Sequence, residues 1–344
     1  MTYQEHLEEA IQEIKEAYPA MPVLEKEPFA KHCSMKVGGP VRAIACPGDA
    51  FVLSKICAFL KRRGISPFIL GNGTNVIVPD EGLDIFIIST ERLNKMWIQE
   101  DGSLYAEAGN SLARVSQYAQ TNGLAGLEFA SGIPGTLGGG VLMNAGAYGG
   151  EMKDHIRTVL CIKLEDQSLY EIEAKDCDFG YRHSLFEDGG YVILAAVFDL
   201  PEGDKDEIAE QMRTLNEKRR NSQPLDLPSC GSAFKRPVGG YAAALIEEAG
   251  LKGYSVGGAQ VSPKHSGFVV NTGGATYDEI VELMTHVREE VKKNSGIILE
   301  PEMKIYPKKM ILVDNNPDLI PEEMMEEFEQ YKKEKRAQAD KEES

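Results

Sequence analysis

The chain has 344 residues, 42% of them hydrophobic, enough to bury a large core in more than one domain. Its net charge of −17 excludes sequence-independent binding to nucleic acid or to an anionic membrane, so any anionic substrate must meet a local cluster of Lys and Arg. No run approaches the roughly 18 apolar residues of a membrane span, and Met1–Ala20 is too charged to be a signal peptide. The six cysteines (Cys33, Cys46, Cys57, Cys161, Cys177 and Cys230) form no CxxC pair. They read as free thiols of a cytoplasmic protein. The six histidines show no HExxH spacing, so no metal site is expected.

In chain order, Thr2–Tyr18 reads as an amphipathic helix through Leu7, Ala10, Ile11 and Ile14, and Pro19–Pro28 as a connector. The segment Phe29–Pro40 leads into a strand at Val41–Ala45. Asp49 is placed to cap a helix running to about Arg63. A short apolar strand, Pro67–Leu70, runs into Gly71-Asn72-Gly73-Thr74-Asn75 and then into Val76–Val78. A dinucleotide-binding Rossmann loop needs a third glycine and a helix directly after it. Neither is present, so that reading fails. A strand–glycine loop–strand still offers backbone N–H groups to a phosphate, with Thr74 and Asn75 beside them.

Ile85–Ser89, Trp97–Gln99 and Leu104–Ala108 read as strands, and Leu112–Asn122 as a helix. Ser131–Glu151 follows, with seven glycines between Gly132 and Gly149 and a single charge at its end. A flexible linker is polar, whereas this stretch interleaves Ile133, Leu137, Val141, Leu142 and Met143. It reads as ordered backbone packed against a flat or anionic ligand. Val159–Leu164, Leu169–Ala174 and the wholly apolar Tyr191–Leu200 read as strands, with Phe179–Phe186 between the last two. Lys205–Asn221 is a polar helix, Pro228–Pro237 a loop, and Ala242–Ala249 a short helix stopped by Gly250. Gly257–Asn271 is loop and strand, and Tyr277–Lys293 an amphipathic helix. Ile297–Ile305 reads as a strand that puts Glu300 and Glu302 on one side. Beyond Pro307 the chain is acidic, and Pro321–Ser344 reads as a charged helix or a disordered tail.

Five of these segments, in order, resemble the signatures of UDP-N-acetylenolpyruvoylglucosamine reductases, flavoenzymes of bacterial peptidoglycan synthesis. They are His32–Gly39, Gly71–Asn75, Ser131–Glu151, Gly180–Ser184 followed by Gly231–Lys235, and Leu299–Ile305. The continuous run through Ser184–Leu200 resembles the shorter, second type of the family, which lacks a Tyr-bearing insertion loop. Two departures stand out: Cys33 occupies a position where the family usually has Thr, and the acidic tail passes the family's usual end.

The resemblance implies an α/β (α+β) protein. Residues 1–28 would be an N-terminal helix and connector. Residues 29–204 would form an FAD-binding domain of the vanillyl-alcohol-oxidase (PCMH) type, with subdomains at about 29–95 and 96–204. Residues 205–307 would form an α/β substrate-binding domain, and 308–344 an acidic extension. It further implies non-covalent FAD, held by Leu70, Gly71, Asn72, Gly73, Thr74, Asn75 and Val76, and by Ser131, Gly132, Ile133, Pro134, Gly135, Thr136, Gly138, Gly139, Asn144, Gly146 and Ala147. NADPH would be the hydride donor and UDP-N-acetylglucosamine-enolpyruvate the substrate. Arg182, Ser232 and Glu302 would be catalytic. Tyr148, Arg182, Lys235, Arg236 and Lys264 would meet the substrate. A monomer or weak oligomer in the cytoplasm, with no nucleic-acid partner and no membrane insertion, is expected. Two other classes fit parts of the pattern: an FAD-linked alcohol or sugar oxidase of the same fold, and a non-catalytic nucleotide-sugar or flavin-binding protein.

Overall fold

The computed structural model describes Tyr3–Lys308, so from residue 309 the expected acidic extension lies outside the described residues. The chain divides into two compact units that interleave in sequence. Of the described residues, the first holds 3–27, 41–73 and 84–221, and the second holds 28–40, 74–83 and 222–308. The structure differs here from a linear division. Residues 28–40 and 74–83, read with the FAD-binding half, fold with the C-terminal segment. The helix Lys205–Ser222, read with the substrate domain, packs with the first unit up to Asn221.

In the first unit, helix α1 (Tyr3–Ala17) buries Leu7, Ala10, Ile11 and Ile14 on one face. Helix α2 (Ala50–Arg62) starts where the Asp49 carboxylate accepts the Val52 N–H at 2.8 Å, and it buries Leu53, Ile56, Cys57 and Leu60. Both cover a four-stranded sheet ordered Val23–Pro28, Pro40–Ala45, Leu83–Ser89, Phe68–Leu70. Val23–Pro28 is thus an edge strand rather than a connector. Its Glu25-Lys26-Glu27 centre hid it, because charged residues guard open sheet edges and remove the apolar alternation.

A second, antiparallel sheet of the same unit is ordered Ser168–Glu173, Ile156–Lys163, Tyr191–Phe198, Leu104–Glu107, Met96–Ile98. Its central strand explains its own composition. Val192 and Leu194 enter the core that holds α1 and α2, while Ile193, Ala196 and Phe198 enter a second core. The register skips Leu194 between the pairs Cys161↔Ile193 and Leu160↔Ala195, and that bulge re-phases the side-chain alternation. Helices α3 (Leu112–Thr121), capped by Ser111, and α4 (Leu137–Leu142), capped by Thr136, complete the second core with Leu112, Val115, Leu137 and Val141. Helix α5 is Lys205–Ser222.

The second unit has a four-stranded antiparallel sheet ordered Ser229–Ser232, Phe268–Asn271, Ala259–Val261, Ser255–Val256. Helix α6 is Ala242–Glu248. Helix α7 (Tyr277–Ser295) opens with a Thr276/Glu279 capping box and ends at left-handed Gly296. Two sequence expectations change. The polar loop at 228–237 contains the strand Ser229–Ser232, whose small residues carry no β-branched signal. Of the strand expected over 297–305, only Lys304–Ile305 pairs regularly, in parallel with Val76–Ile77, because Pro301 cannot donate to a ladder.

Short segments tie this unit together. The Ser34 hydroxyl donates to Ser229 O at 2.6 Å, the Asn271 amide to Met35 O at 3.0 Å, and the Tyr277 N–H to the Asp80 carboxylate at 2.7 Å. A Cβ added at Gly39 would lie 2.0 Å from Asp80 O and 2.6 Å from Gly82 N, both main-chain atoms that cannot swing aside. Gly39→Ala should therefore destabilise the protein by roughly 1–3 kcal/mol, read as a lower melting temperature. Gly190→Ala, where a Cβ meets nothing within 4 Å, should leave it unchanged. Equal melting temperatures for the two variants would refute the close-approach account.

Candidate active site

On the first unit, the two glycine-rich loops stand back to back. A Cβ on Gly71 would fall 2.2 Å from Thr136 Oγ1, so only glycine lets these loops meet. Leu70 is buried, and its carbonyl accepts the Thr90 N–H at 2.9 Å, which anchors the loop's entry. Among the described residues, the N–H groups of Asn72 and Gly73 bond no other part of the protein. Gly139, in contrast to Gly71, has room: the nearest atom to an added Cβ is Thr136 Oγ1 at 3.6 Å. Protein packing does not demand a glycine there, so the missing side chain leaves space for a ligand. Uncommitted backbone donors beside open, side-chain-free surface fit an FAD diphosphate, whose charge N–H groups answer without a cation.

The remaining expected cofactor residues divide by what their atoms already do. Ser131 donates to Glu128 O at 2.8 Å and accepts from the Asn216 amide at 3.1 Å. Ile133 closes a turn onto Ala130 O, Gly135 O accepts from Leu112, and Gly138 N–H donates to Ala108 O at 2.8 Å. Gly146 and Ala147 form a two-residue ladder with Glu151 and Gly150. Asn144 is fully buried in left-handed backbone, and its amide is saturated: it donates to Glu151 Oε2 at 2.9 Å and Gly180 O at 2.8 Å and accepts from Lys153 N–H at 3.0 Å. Its side chain therefore shapes the loop. Thr74, Asn75 and Val76 belong to the second unit, where Asn75 donates to Glu302 O at 2.9 Å and Val76 pairs with Lys304.

Asn144 also leads to Arg182, because Gly180 O lies in the turn that carries it. Arg182 sits in left-handed backbone at φ 53°, its guanidinium donating to Gly146 O at 3.1 Å and lying 5.1 Å from the Tyr181 ring centre. His183 brackets the same turn, with Nδ1 3.1 Å from Glu187 and Nε2 3.2 Å from Asp178. The Glu187 hydrogen bond, chiefly, raises the His183 pKa against the opposing effect of burial.

Tyr148 tips the Gly146–Glu151 hairpin at φ 54° and is 46% exposed. Over its ring, 5.8 Å away, lies the guanidinium of Arg219, a residue the sequence reading missed. Arg219 is 8% exposed, and burial lowers its pKa while Tyr148 partly restores it. A Cβ on Gly132 would strike Asn216 Oδ1 at 2.3 Å and Arg219 Nε at 3.0 Å, so α5 presses its polar face against the glycine stretch. A signal was available: Ile208, Met212 and Arg219 share the buried face of α5. A buried cation on that face marks a position that recognises charge or aromatic surface.

On the second unit, Ser232 and Glu302 come together. Ser232 ends its strand opposite Phe268, after a left-handed Gly231. The next residue, Ala233, accepts the Glu302 N–H at 2.9 Å, and Lys235 N–H donates to Glu300 O at 2.8 Å. Of the two carboxylates that periodicity leaves alike, Glu300 accepts from Lys235 Nζ at 2.8 Å. Lys235 is thus ion-paired within the protein. Arg236 is exposed and covers the Tyr241 ring at 4.5 Å, and Lys264 is exposed on the turn after Ser262.

Comparison with known proteins accords with this arrangement. Residues 41–171 match a family model described as an FAD-binding domain, and residues 223–306 match one described as the UDP-N-acetylenolpyruvoylglucosamine reductase C-terminal domain. A protein of that reductase name from Caldanaerobacter subterraneus subsp. tengcongensis is 44% identical over 82% of this chain and 93% of its own length. One from Streptococcus mutans is 40% identical over 89% of this chain and 99% of its own. The crystal structure of the enzyme from Thermus caldophilus superposes with a TM-score of 0.73 at 32% identity, covering 83% of this chain and all of that one. With both halves of the chain matched and relatives aligned nearly end to end, this protein is a member of the UDP-N-acetylenolpyruvoylglucosamine reductase family.

Proposed function

We propose that this chain reduces the enolpyruvyl group of UDP-N-acetylglucosamine-enolpyruvate to give UDP-N-acetylmuramate, with NADPH as reductant, as a cytoplasmic step of peptidoglycan precursor synthesis. The observation that carries this is the 44% identity to a protein named for that substrate, over 93% of its length. Among the described residues no helix is long and apolar enough to cross a membrane, as suits an enzyme of diffusible nucleotide substrates. FAD, when bound, supplies two-electron hydride chemistry between NADPH and the vinyl carbon C3. Asn72, Gly73 and Gly139 are the residues that would hold it.

The chain's own residues handle the charge that hydride addition creates. As C3 gains hydride, negative charge grows at C2 and on the adjoining carboxylate. Arg182 is the candidate to hold that carboxylate, because its planar fork is always charged and its turn is fixed by Gly146 O and by the Asn144 link to Gly180 O. Ser232 is the candidate proton donor to C2, and Glu302, fixed beside it through Ala233 O, the candidate hydrogen-bond partner of the developing charge. Arg219, with Tyr148 against it, is the candidate cation for a diphosphate in a protein otherwise negative.

Separate half-reactions test these roles. Ser232→Ala should let NADPH bleach the flavin at near the parent rate, while reoxidation by the enolpyruvyl substrate slows by roughly 10²–10⁴-fold, the range of a positioned general acid. Stopped-flow absorbance measures both, and equal slowing of both halves would remove Ser232 from the proton-donor role. Arg182→Lys should also impair reoxidation, since an ammonium cannot reproduce the bidentate fork. Gly135→Val, at φ 126°, should weaken FAD retention more than it lowers the melting temperature of the apoprotein; unchanged flavin affinity would count against a cofactor-facing Gly135.

The Arg182 turn adds a pH signature. Because the folded pKa of His183 is raised, its stabilising contribution is complete below the ordinary value near pH 6.5 and fades as pH climbs through the raised one. His183→Asn should therefore lower the melting temperature more at pH 5.5 than at pH 9. A loss equal at both values would mean that protonating His183 adds nothing to the stability of this turn.

A further inference from the structure

The second unit contains a pair of thiols that the reaction does not use. Cys33 and Cys230 are 1% and 5% exposed and approach the same acceptor: Cys33 Sγ donates to Val76 O at 2.9 Å, and Cys230 Sγ lies 3.8 Å from that oxygen. Both sulfurs thus lie against one carbonyl oxygen. Ser34, beside Cys33, donates to Ser229 O at 2.6 Å and lies 3.7 Å from Cys230 Sγ.

We propose that Cys33 and Cys230 are a dithiol oxidation site, closed to a disulfide by a small hydroperoxide, and that closing it slows proton delivery to the substrate. The chemistry balances with hydrogen peroxide as the oxidant. One thiolate attacks a peroxide oxygen, breaking the O–O bond and leaving a sulfenic acid and one water. The second sulfur attacks the sulfenic sulfur, forming the S–S bond and expelling the other water. The two thiols lose two electrons and two protons, and peroxide leaves as two waters. Burial favours a small, uncharged oxidant over a bulky disulfide.

The surroundings single out this pair. The Cys230 thiol, first, and the N–H groups of Met35, Val37 and Lys36 hold the Cys33 pKa below its ordinary value against the opposing effect of burial. Elsewhere burial pushes Cys46 up to about 11 and Cys57, Cys161 and Cys177 up to about 12. The thiolate is the nucleophile, so Cys33 reacts first.

The functional consequence rests on the roles proposed for Ser232 and Glu302. Cys230 lies in the strand that ends at Ser232. A disulfide removes both S–H donors from Val76 O. Val76 pairs with Lys304, and its neighbour Asn75 holds Glu302 O. One oxidation thus perturbs the supports of both residues.

The test treats the full-length holoenzyme with hydrogen peroxide and reads mass, peptides and both half-reactions. The expected product is lighter by two hydrogens, with a peptide joining Cys33 to Cys230. NADPH should bleach its flavin at the untreated rate, and substrate-driven reoxidation should slow by about tenfold or more, a fraction of a general acid's contribution. Dithiothreitol should restore the rate. Cys33→Thr and Cys230→Ala should resist both cross-link and slowing. Oxygen addition on single cysteines without the cross-link, slowing of the Cys33→Thr enzyme by peroxide as large as the parent's, or a cross-link that leaves reoxidation unchanged would each overturn the proposal. If untreated enzyme never reduces the enolpyruvyl group, the functional reading fails, and the peptide analysis still decides whether the dithiol closes.

Discussion

The strand Tyr191–Phe198 has no solvent face, and the first unit is arranged by that fact. Residues on one side complete a core with α1 and α2, and those on the other complete a core with α3 and α4. A two-sided buried strand accepts apolar residues at every position, which is why this run lacks the polar alternation of a surface sheet. Helix α4 is only six residues long and half glycine, too short and too poor a helix former to stand alone. It is held by Leu137 and Val141 against this strand's core and by the Thr136 cap at its start. The glycine stretch is therefore rigid where a linker of the same glycine content would be mobile. Its order derives from the sheet beneath it.

Charge is organised at a finer scale than the net value suggests. Among the described residues several acidic side chains pair with a neighbouring cation, as Glu25 with Lys15, Glu173 with Lys175 and Glu247 with Lys252. Arg157 is held by Asp101 and Asp199 at the surface, where such a pair adds little. Arg219 is buried under an aromatic ring, where burial lowers its pKa and Tyr148 opposes that shift. A guanidinium kept in that condition gains more from meeting an anion than a solvated one does, because less hydration remains to be lost.

Legibility in the sequence followed physical scale. The helices were readable from their apolar spacing and caps, as at Asp49 and at the amphipathic face of α7. The glycine-rich loops were readable because glycine density is itself a statement about close approach. Val23–Pro28 and Ser229–Ser232 were not, since one is a charged edge and the other is built from small residues. The choice between Glu300 and Glu302 was also closed to periodicity. The ion pair of Lys235 with Glu300, next to the Phe234–Pro301 bridge, joins residues 65 apart in sequence and is equally invisible to local pattern. Arg219 was hidden within a polar helix whose one buried face has only three members. What escaped the sequence was set by partners far along the chain, which local pattern does not encode.

The interleaving of the two units governs how the protein is made. Val76–Ile77 waits for Lys304–Ile305, and Ser34 for Ser229, so the second unit cannot close until nearly the whole described chain has left the ribosome. Every residue of the first unit has been made by Asn221, while the arms at 28–40 and 74–83 wait for the rest of the second unit. Those arms carry the His32–Gly39 motif and Thr74–Asn75. Non-local pairing of this kind folds slowly and leaves strand edges open meanwhile. The nascent chain is thus most exposed to misassembly in the residues that its finished second unit most depends on.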